Sequence, residues 1–180
     1  MTVRVLFLCE NEFEDLELWY PLLRLAEEGA KITVAGPQAH AVVKGKHGLT
    51  CRPDIGFDEV HSSEYDALFV PGGHAPSKLR RLPRVVEIVR EFDTAGKPLG
   101  LICHAAELAV AAQILAGREV TGHDSIREEV TRAGAIWRDE AVVHDANLIS
   151  SRTPADLPRF GKQLVQHFFH RHPAASGSRD

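Results

Sequence analysis

Only three of the 180 residues are cysteine: Cys9, Cys51 and Cys103. Their low, odd number and wide spacing exclude a disulfide framework and a zinc knuckle. A catalytic or redox role stays open to each. Positive charge is not in excess either, since 21 Lys and Arg against 25 Asp and Glu give a formal net charge of −4. Phosphate-binding surfaces are built from clustered Lys and Arg, so this balance argues against a nucleic-acid partner. No apolar run is long enough to span a bilayer, and the short one at residues 3–9 lacks a small-residue cleavage site. A cytoplasmic protein with no membrane partner is expected.

What is present is a globular composition, 44% apolar and 26% charged. The length suits one hydrophobic core and is short for two, so residues 1–172 read as a single domain. Residues 173–180 are small and polar, a composition expected to stay disordered.

Apolar strand-like runs at 3–9, 31–35, 66–70 and 98–102 alternate with helical patterns at about 15–28, 83–95, 106–115, 125–133 and 155–170. Asn11 with Glu14, and Ser125 with Glu128, have the form of capping boxes. Gly29 and Gly117 suit C-caps, and Pro21 implies a kink or a later helix start. Residues 41–53 turn at Gly45 and Gly48 and suggest a small β excursion; 119–121 and 136–150 hold further short strands. This alternation predicts an α/β sandwich around a mostly parallel sheet, with its site outside the C-terminal strand ends. Three loops meet that description: 10–17, 71–77 and Cys103-His104.

The run Gly96-Lys-Pro-Leu-Gly-Leu-Ile-Cys-His-Ala-Ala106 places Cys103 at a strand-to-helix join. A nearby helix N-terminus favours thiolate over thiol, which suits a nucleophile. An isolated cysteine more often fills a core, and here the flanks decide. Of the carboxylates in the first loop, Glu14 already has a capping role, so Glu17 is the favoured acid facing Cys103 and Glu14 the second choice. A carboxylate against a thiolate would share a proton with it and could act as general acid or base. Pro71-Gly72-Gly73-His74 could turn backbone N–H groups of Gly73 and His104 toward an oxyanion, or could simply be a strand-end turn. The His104 side chain should point away from its neighbour on a helix. His123, after another strand, could reach the same pocket, and Gly72 and Lys46 join the substrate-binding candidates. His167, His170 and His172 lack an acid or cysteine to complete a metal set.

Asn11-Glu-Phe-Glu-Asp-Leu-Glu17, Gly45-Lys-His-Gly48, Asp66-Ala-Leu-Phe-Val-Pro-Gly-Gly73, Gly96-Lys-Pro98, Ile102-Cys-His104 and Ser150-Ser-Arg-Thr-Pro-Ala-Asp-Leu157 occur in that order. From Val3 to about Phe169 the chain resembles the PfpI-type intracellular protease family of the ThiJ/PfpI superfamily. That superfamily is related to class I glutamine amidotransferase domains and the parkinsonism-associated deglycase. The resemblance implies a flavodoxin-like three-layer sandwich, Cys103 on a strained nucleophile elbow, Glu17 hydrogen-bonded to it, and Gly73 and His104 at an oxyanion site. It also implies homodimers or rings of dimers with the site near an interface. Two positions depart from the family pattern. Ser77 stands where the founding proteases place an acid that reaches the neighbouring subunit, and Ala105-Ala106 replaces Gly-Pro. His123 matches a pocket histidine of the deglycase branch.

The reading these residues support is a cysteine-dependent stress-response enzyme. It would act as a glutathione-independent glyoxalase or deglycase on methylglyoxal-type carbonyls or their adducts, with no metal or organic cofactor called for. An intracellular cysteine peptidase or amidase is the alternative within enzymes, weakened by Ser77. A non-catalytic redox-sensing or chaperone-like stress protein is the alternative outside them.

Overall fold

The computed structural model describes residues 2–169; the expectations for residues 173–180, His170 and His172 lie outside them. Along the chain run β1 (Arg4–Leu8), α1 (Asp15–Glu27), β2 (Lys31–Gly36), β3 (Val43–Lys44), β4 (Thr50–Cys51), β5 (Ile55–Gly56) and β6 (Ala67–Val70). There follow α2 (Ala75–Leu79), α3 (Pro83–Thr94), β7 (Leu99–Ile102), α4 (Ala106–Ala112), β8 (Glu119–Val120) and α5 (Arg127–Arg132). The last elements are β9 (Ile136–Trp137), β10 (Val142–Asp145), β11 (Leu148–Ser151) and α6 (Leu157–Phe169).

Seven strands form the central sheet in the order β10-β11-β7-β6-β1-β2-β5. All neighbours are parallel except β10 and β11. The strands are apolar on both faces because helices cover both. Leu6, Leu8, Leu68, Val70, Leu99 and Leu101 pack with α3 and α4, while Val5, Phe7, Ala67 and Phe69 pack with α1 and α6. This three-layer, flavodoxin-like arrangement is the one expected. At Gly100 in β7 an added Cβ would stand 2.8 Å from Leu164 and 2.9 Å from Phe69, so only glycine lets α6 lie that close to the sheet.

Local structure departs from the sequence reading in four places. Asn11 does not cap α1: its Oδ1 accepts the Lys44 N–H at 3.0 Å, and the N-cap is Glu14 with no side-chain cap bond. A ladder-like contact to β3 has displaced a local one. Ser125 and Glu128 form no capping box, because Asp124–Ile126 is a 3₁₀ turn, α5 starts at Arg127, and the His123 ring accepts the Ser125 N–H. The helix after the cysteine stops at Ala112, with Gln113 left-handed at φ +59, rather than running to Leu115 and Gly117. The short helix α2 was not anticipated. Pro21 lies inside α1, which starts at Asp15 and continues past it to Glu27. Gly29, at φ +88, follows the α1 C-cap Glu28 as expected.

Candidate active site

β1, β6 and β7 are adjacent in the sheet, so the loops at their C-terminal ends meet. The first loop is laid directly onto the second: Phe13 and Gly73 form an antiparallel bridge, Glu14 N–H donates to Gly72 O at 3.1 Å, and His74 N–H donates to Glu12 O at 2.9 Å. Gly73 permits this with φ +84; a Cβ there would come within 2.4 Å of Glu12 O. At Gly72 a Cβ would stand 2.4 Å from Glu17 Oε2 and 2.6 Å from Cys103 Cβ. Both glycines are therefore required by close approach rather than by turn type alone.

Cys103 opens a 3₁₀ turn, Cys103–Ala105, at the end of β7, with a left-handed φ of +61. Such a conformation is costly for a non-glycine residue, and the packing around it holds it in place. Glu17, in the first turn of α1, is fully buried. Its Oε2 accepts the Gly72 N–H at 2.9 Å. Its Oε1 is buried without a hydrogen-bond partner, and the Cys103 thiol neighbours the carboxyl group.

Burial, opposed by the Gly72 N–H, pushes the Glu17 carboxyl up to about 8. Burial and then the Glu17 charge push the Cys103 thiol up to about 12. This corrects the expectation of a thiolate favoured by a helix N-terminus. The backbone N–H groups of Gly73 and His104 do lower its pKa, but desolvation outweighs them. Of the two neighbours, the Glu17 carboxyl thus gives up its proton first, at about 8.

The His104 side chain is the second correction. Because Cys103 sits in a left-handed turn and not in a regular helix, His104 Nδ1 lies 3.2 Å from Cys103 Sγ. Its Nε2 meets Ser125 Oγ at 3.0 Å, and the same hydroxyl lies 2.7 Å from His123 Nδ1. The His104 and His123 rings stack with centroids 4.4 Å apart. Burial, with the neighbouring His123, His74 and Lys46, drives the His104 pKa down to about 4. It is therefore a neutral imidazole at physiological pH, able to accept a hydrogen bond or a proton.

Glu14 does not face the thiol in the manner of Glu17. Its Oε2 is engaged by His47 Nε2 at 3.2 Å and by Lys46 Nζ at 3.4 Å. The turn carrying these two is fixed by Asp15, whose oxygens accept the N–H groups of His47 at 3.1 Å and Leu49 at 2.7 Å. Ser77 Oγ donates to Glu107 Oε2 at 2.7 Å. The structure thus brings together Cys103, His104, Glu17, Gly72, Gly73 and His123, and sets Glu14 and Lys46 in a neighbouring pair.

Ser125 and Asp15 were missed by sequence reasoning. Ser125 was read only as a cap, although its place two residues after His123 was the available signal. Nothing local marked Asp15, whose partners are more than thirty residues away. Among the described residues no group of three or more His, Cys, Asp or Glu side chains is arranged to hold a metal. His167 instead meets Asn147 O at 2.8 Å.

The chain is similar to several known proteins. The chain is 43% identical over 164 residues to the deglycase PfpI of Pyrococcus furiosus, covering 91% of this chain and 98% of that one. It is 40% identical over 155 residues to general stress protein 18 of Bacillus subtilis, covering 85% and 90%. Among solved structures, a two-domain protein of Anabaena variabilis with DJ-1/ThiJ/PfpI-like and ferritin-like domains superposes with a TM-score of 0.91 at 34% identity; 99% of this chain is covered and 52% of that one, about half its length. The DJ-1/PfpI family model matches residues 3–167. With that match spanning nearly all of the sequence, the chain belongs to the DJ-1/PfpI family.

Proposed function

We propose that the protein is a cysteine-dependent stress-response deglycase or glyoxalase acting on 2-oxoaldehydes such as methylglyoxal, or on their early adducts with amines and thiols. The observation that carries this reading is the buried Glu17 carboxyl beside the Cys103 thiol, under the N–H groups of Gly73 and His104. The names of the deglycase and stress-protein relatives support it.

In this mechanism the Cys103 sulfur adds to the aldehyde carbon and its proton passes to the Glu17 carboxylate. The Gly73 and His104 N–H groups hold the oxygen that becomes negative. Glu17 then moves a proton between the two carbons through an enediol, giving a thioester that water hydrolyses to a 2-hydroxy acid. With an adduct, the amine or thiol leaves. His123 and Ser125 position the substrate edge and the His104 ring, and Gly72 and Gly73 leave room for it. Lys46 and Glu14 form the rim. A peptidase reading is weakened by Ser77, whose hydroxyl is donated to Glu107.

Cytoplasmic placement and self-association as a homodimer or ring of dimers belong to the same proposal. Among the described residues no helix is long and apolar enough to cross a membrane. On α1, Leu16 and Leu23 are 55% and 61% exposed, two turns apart on one face. A Leu23→Glu chain that elutes like the wild type in light-scattering chromatography would remove this face as the interface. The enzymatic test is hydroxy-acid formation from methylglyoxal without glutathione, and amine release from its adducts. Wild type should turn over, Cys103→Ala and Glu17→Gln should not, and His123→Ala should be weakened. An inactive wild type with Cys103 reduced overturns the reading.

A further inference from the structure

The other two cysteines are neither exposed nor scattered. Cys9 ends the run of β1, fully buried, its N–H donating to Ala35 O at 2.9 Å. Cys51 is 5% exposed on β4, whose antiparallel pairing with β3 sets Val43 opposite it in a hairpin outside the central sheet. Both lie in one apolar cluster, and each thiol is the neighbour that most perturbs the other. Pro53, just beyond Cys51, packs so closely over Gly36 that a Cβ there would meet its Cγ at 2.3 Å, with Cys9 O on the same side at 3.5 Å. The segment that leaves the hairpin is thereby seated beside the end of β1. Neither thiol is used by the Glu17–Cys103 site, and all three cysteines are free thiols.

We propose that Cys9 and Cys51 are a redox-modification site: a hydroperoxide oxidises the pair to a reversible disulfide that fastens the β3–β4 hairpin to the end of β1. Cys51 is the attacking sulfur, being the less buried and lying on a two-residue strand that can open locally. Its pKa is held below the ordinary thiol value because Cys9 donates to it, while Cys9 is held far above. The Cys51 sulfur attacks the peroxide oxygen, the O–O bond breaks, the alcohol departs, and Cys51 becomes a sulfenic acid. The Cys9 sulfur then attacks the Cys51 sulfur, and its proton leaves with the displaced hydroxide as water. Two thiols and one hydroperoxide give one disulfide, one alcohol and one water.

The same hairpin carries Lys46 and His47 to Glu14. The disulfide would therefore stiffen the rim of the site without touching Cys103.

The test uses the full chain as wild type and as Cys103→Ala, treated with hydrogen peroxide and then unfolded in an alkylating agent. Expected is a loss of two hydrogens in the Cys103→Ala protein and a peptide linking Cys9 to Cys51, both reversed by dithiothreitol. The melting temperature should rise by roughly 10 °C, as for closure of a loop of about forty residues. Recovery of Cys9 and Cys51 as alkylated thiols, under peroxide that fully oxidises wild-type Cys103, overturns the proposal; so does a link between chains. A Cys9–Cys51 link with an unchanged melting temperature overturns the fastening. The mass readout needs no substitution at Cys9 or Cys51, so a misfolded core variant cannot obscure it.

Discussion

His104 and His123 stack 4.4 Å apart, and one hydroxyl, Ser125 Oγ, touches a nitrogen of each ring. The hydroxyl can donate to only one of the two at a time, so it fixes which His104 nitrogen is protonated. Ser125→Ala should lower kcat on methylglyoxal by about tenfold and leave the melting temperature within about 2 °C. Ser125→Thr should restore most of the rate. Equal activity in Ser125→Ala would show that the stack alone orients His104.

Glu17→Gln should abolish turnover, by at least about a hundredfold. The second-largest cause holding the Cys103 thiol up is the Glu17 charge, so in this variant Cys103 should titrate below about 12. Thiolate absorbance followed against pH checks it. A thiol that titrates unchanged would sever Cys103 from Glu17.

Stability should also separate these two proteins with pH. The ordinary carboxyl value of 4.5 is raised to about 8 in the fold. Between those values the folded chain keeps a proton that the unfolded chain has released, so wild-type stability falls as pH rises through that window. The full loss is about 5 kcal/mol at most. Glu17→Gln carries no such slope, and denaturant titrations at pH 5 and pH 9 should show the variant gaining on the wild type at the higher pH.

Catalysis should follow the same pair in the opposite sense. The reactive form lacks one proton, so kcat/KM should climb with pH up to about 8 and then level. His104, at about 4, contributes no inflection in that range. A profile whose single rise lies near 6.5 would instead assign the base to a histidine of ordinary pKa.

Asp15→Ala should cost about 1–3 kcal/mol, because it removes the buried carboxylate that accepts the N–H groups of His47 and Leu49. The melting temperature should drop by about 2–12 °C. The released Lys46–His47 turn should raise KM more than it lowers kcat. A stable variant with wild-type KM would show that the turn holds itself.

Much of this was legible from periodicity and strand-end logic. Apolar runs placed β1, β6 and β7, and the rule that sites gather at strand ends brought Glu17, Gly73 and Cys103 together. Where the reading failed, a distant partner had overridden a local one: Asn11 bonds Lys44 across the chain rather than capping its own helix. The His104 orientation depended on a single left-handed φ at Cys103, which no spacing encodes. The thiol pKa depended on desolvation, and a sequence shows a helix N-terminus more readily than it shows the depth at which a side chain is buried.

Pro21 has a consequence beyond the shape of α1. A helix holds each carbonyl by the N–H four residues on, and proline has no N–H to give. The carbonyl left without that bond belongs to Glu17. The residue proposed to carry the proton thus sits where the helical ladder is missing a rung. Its side chain is clasped by the Gly72 N–H from the neighbouring loop, while its own carbonyl has no N–H from Pro21 to hold it.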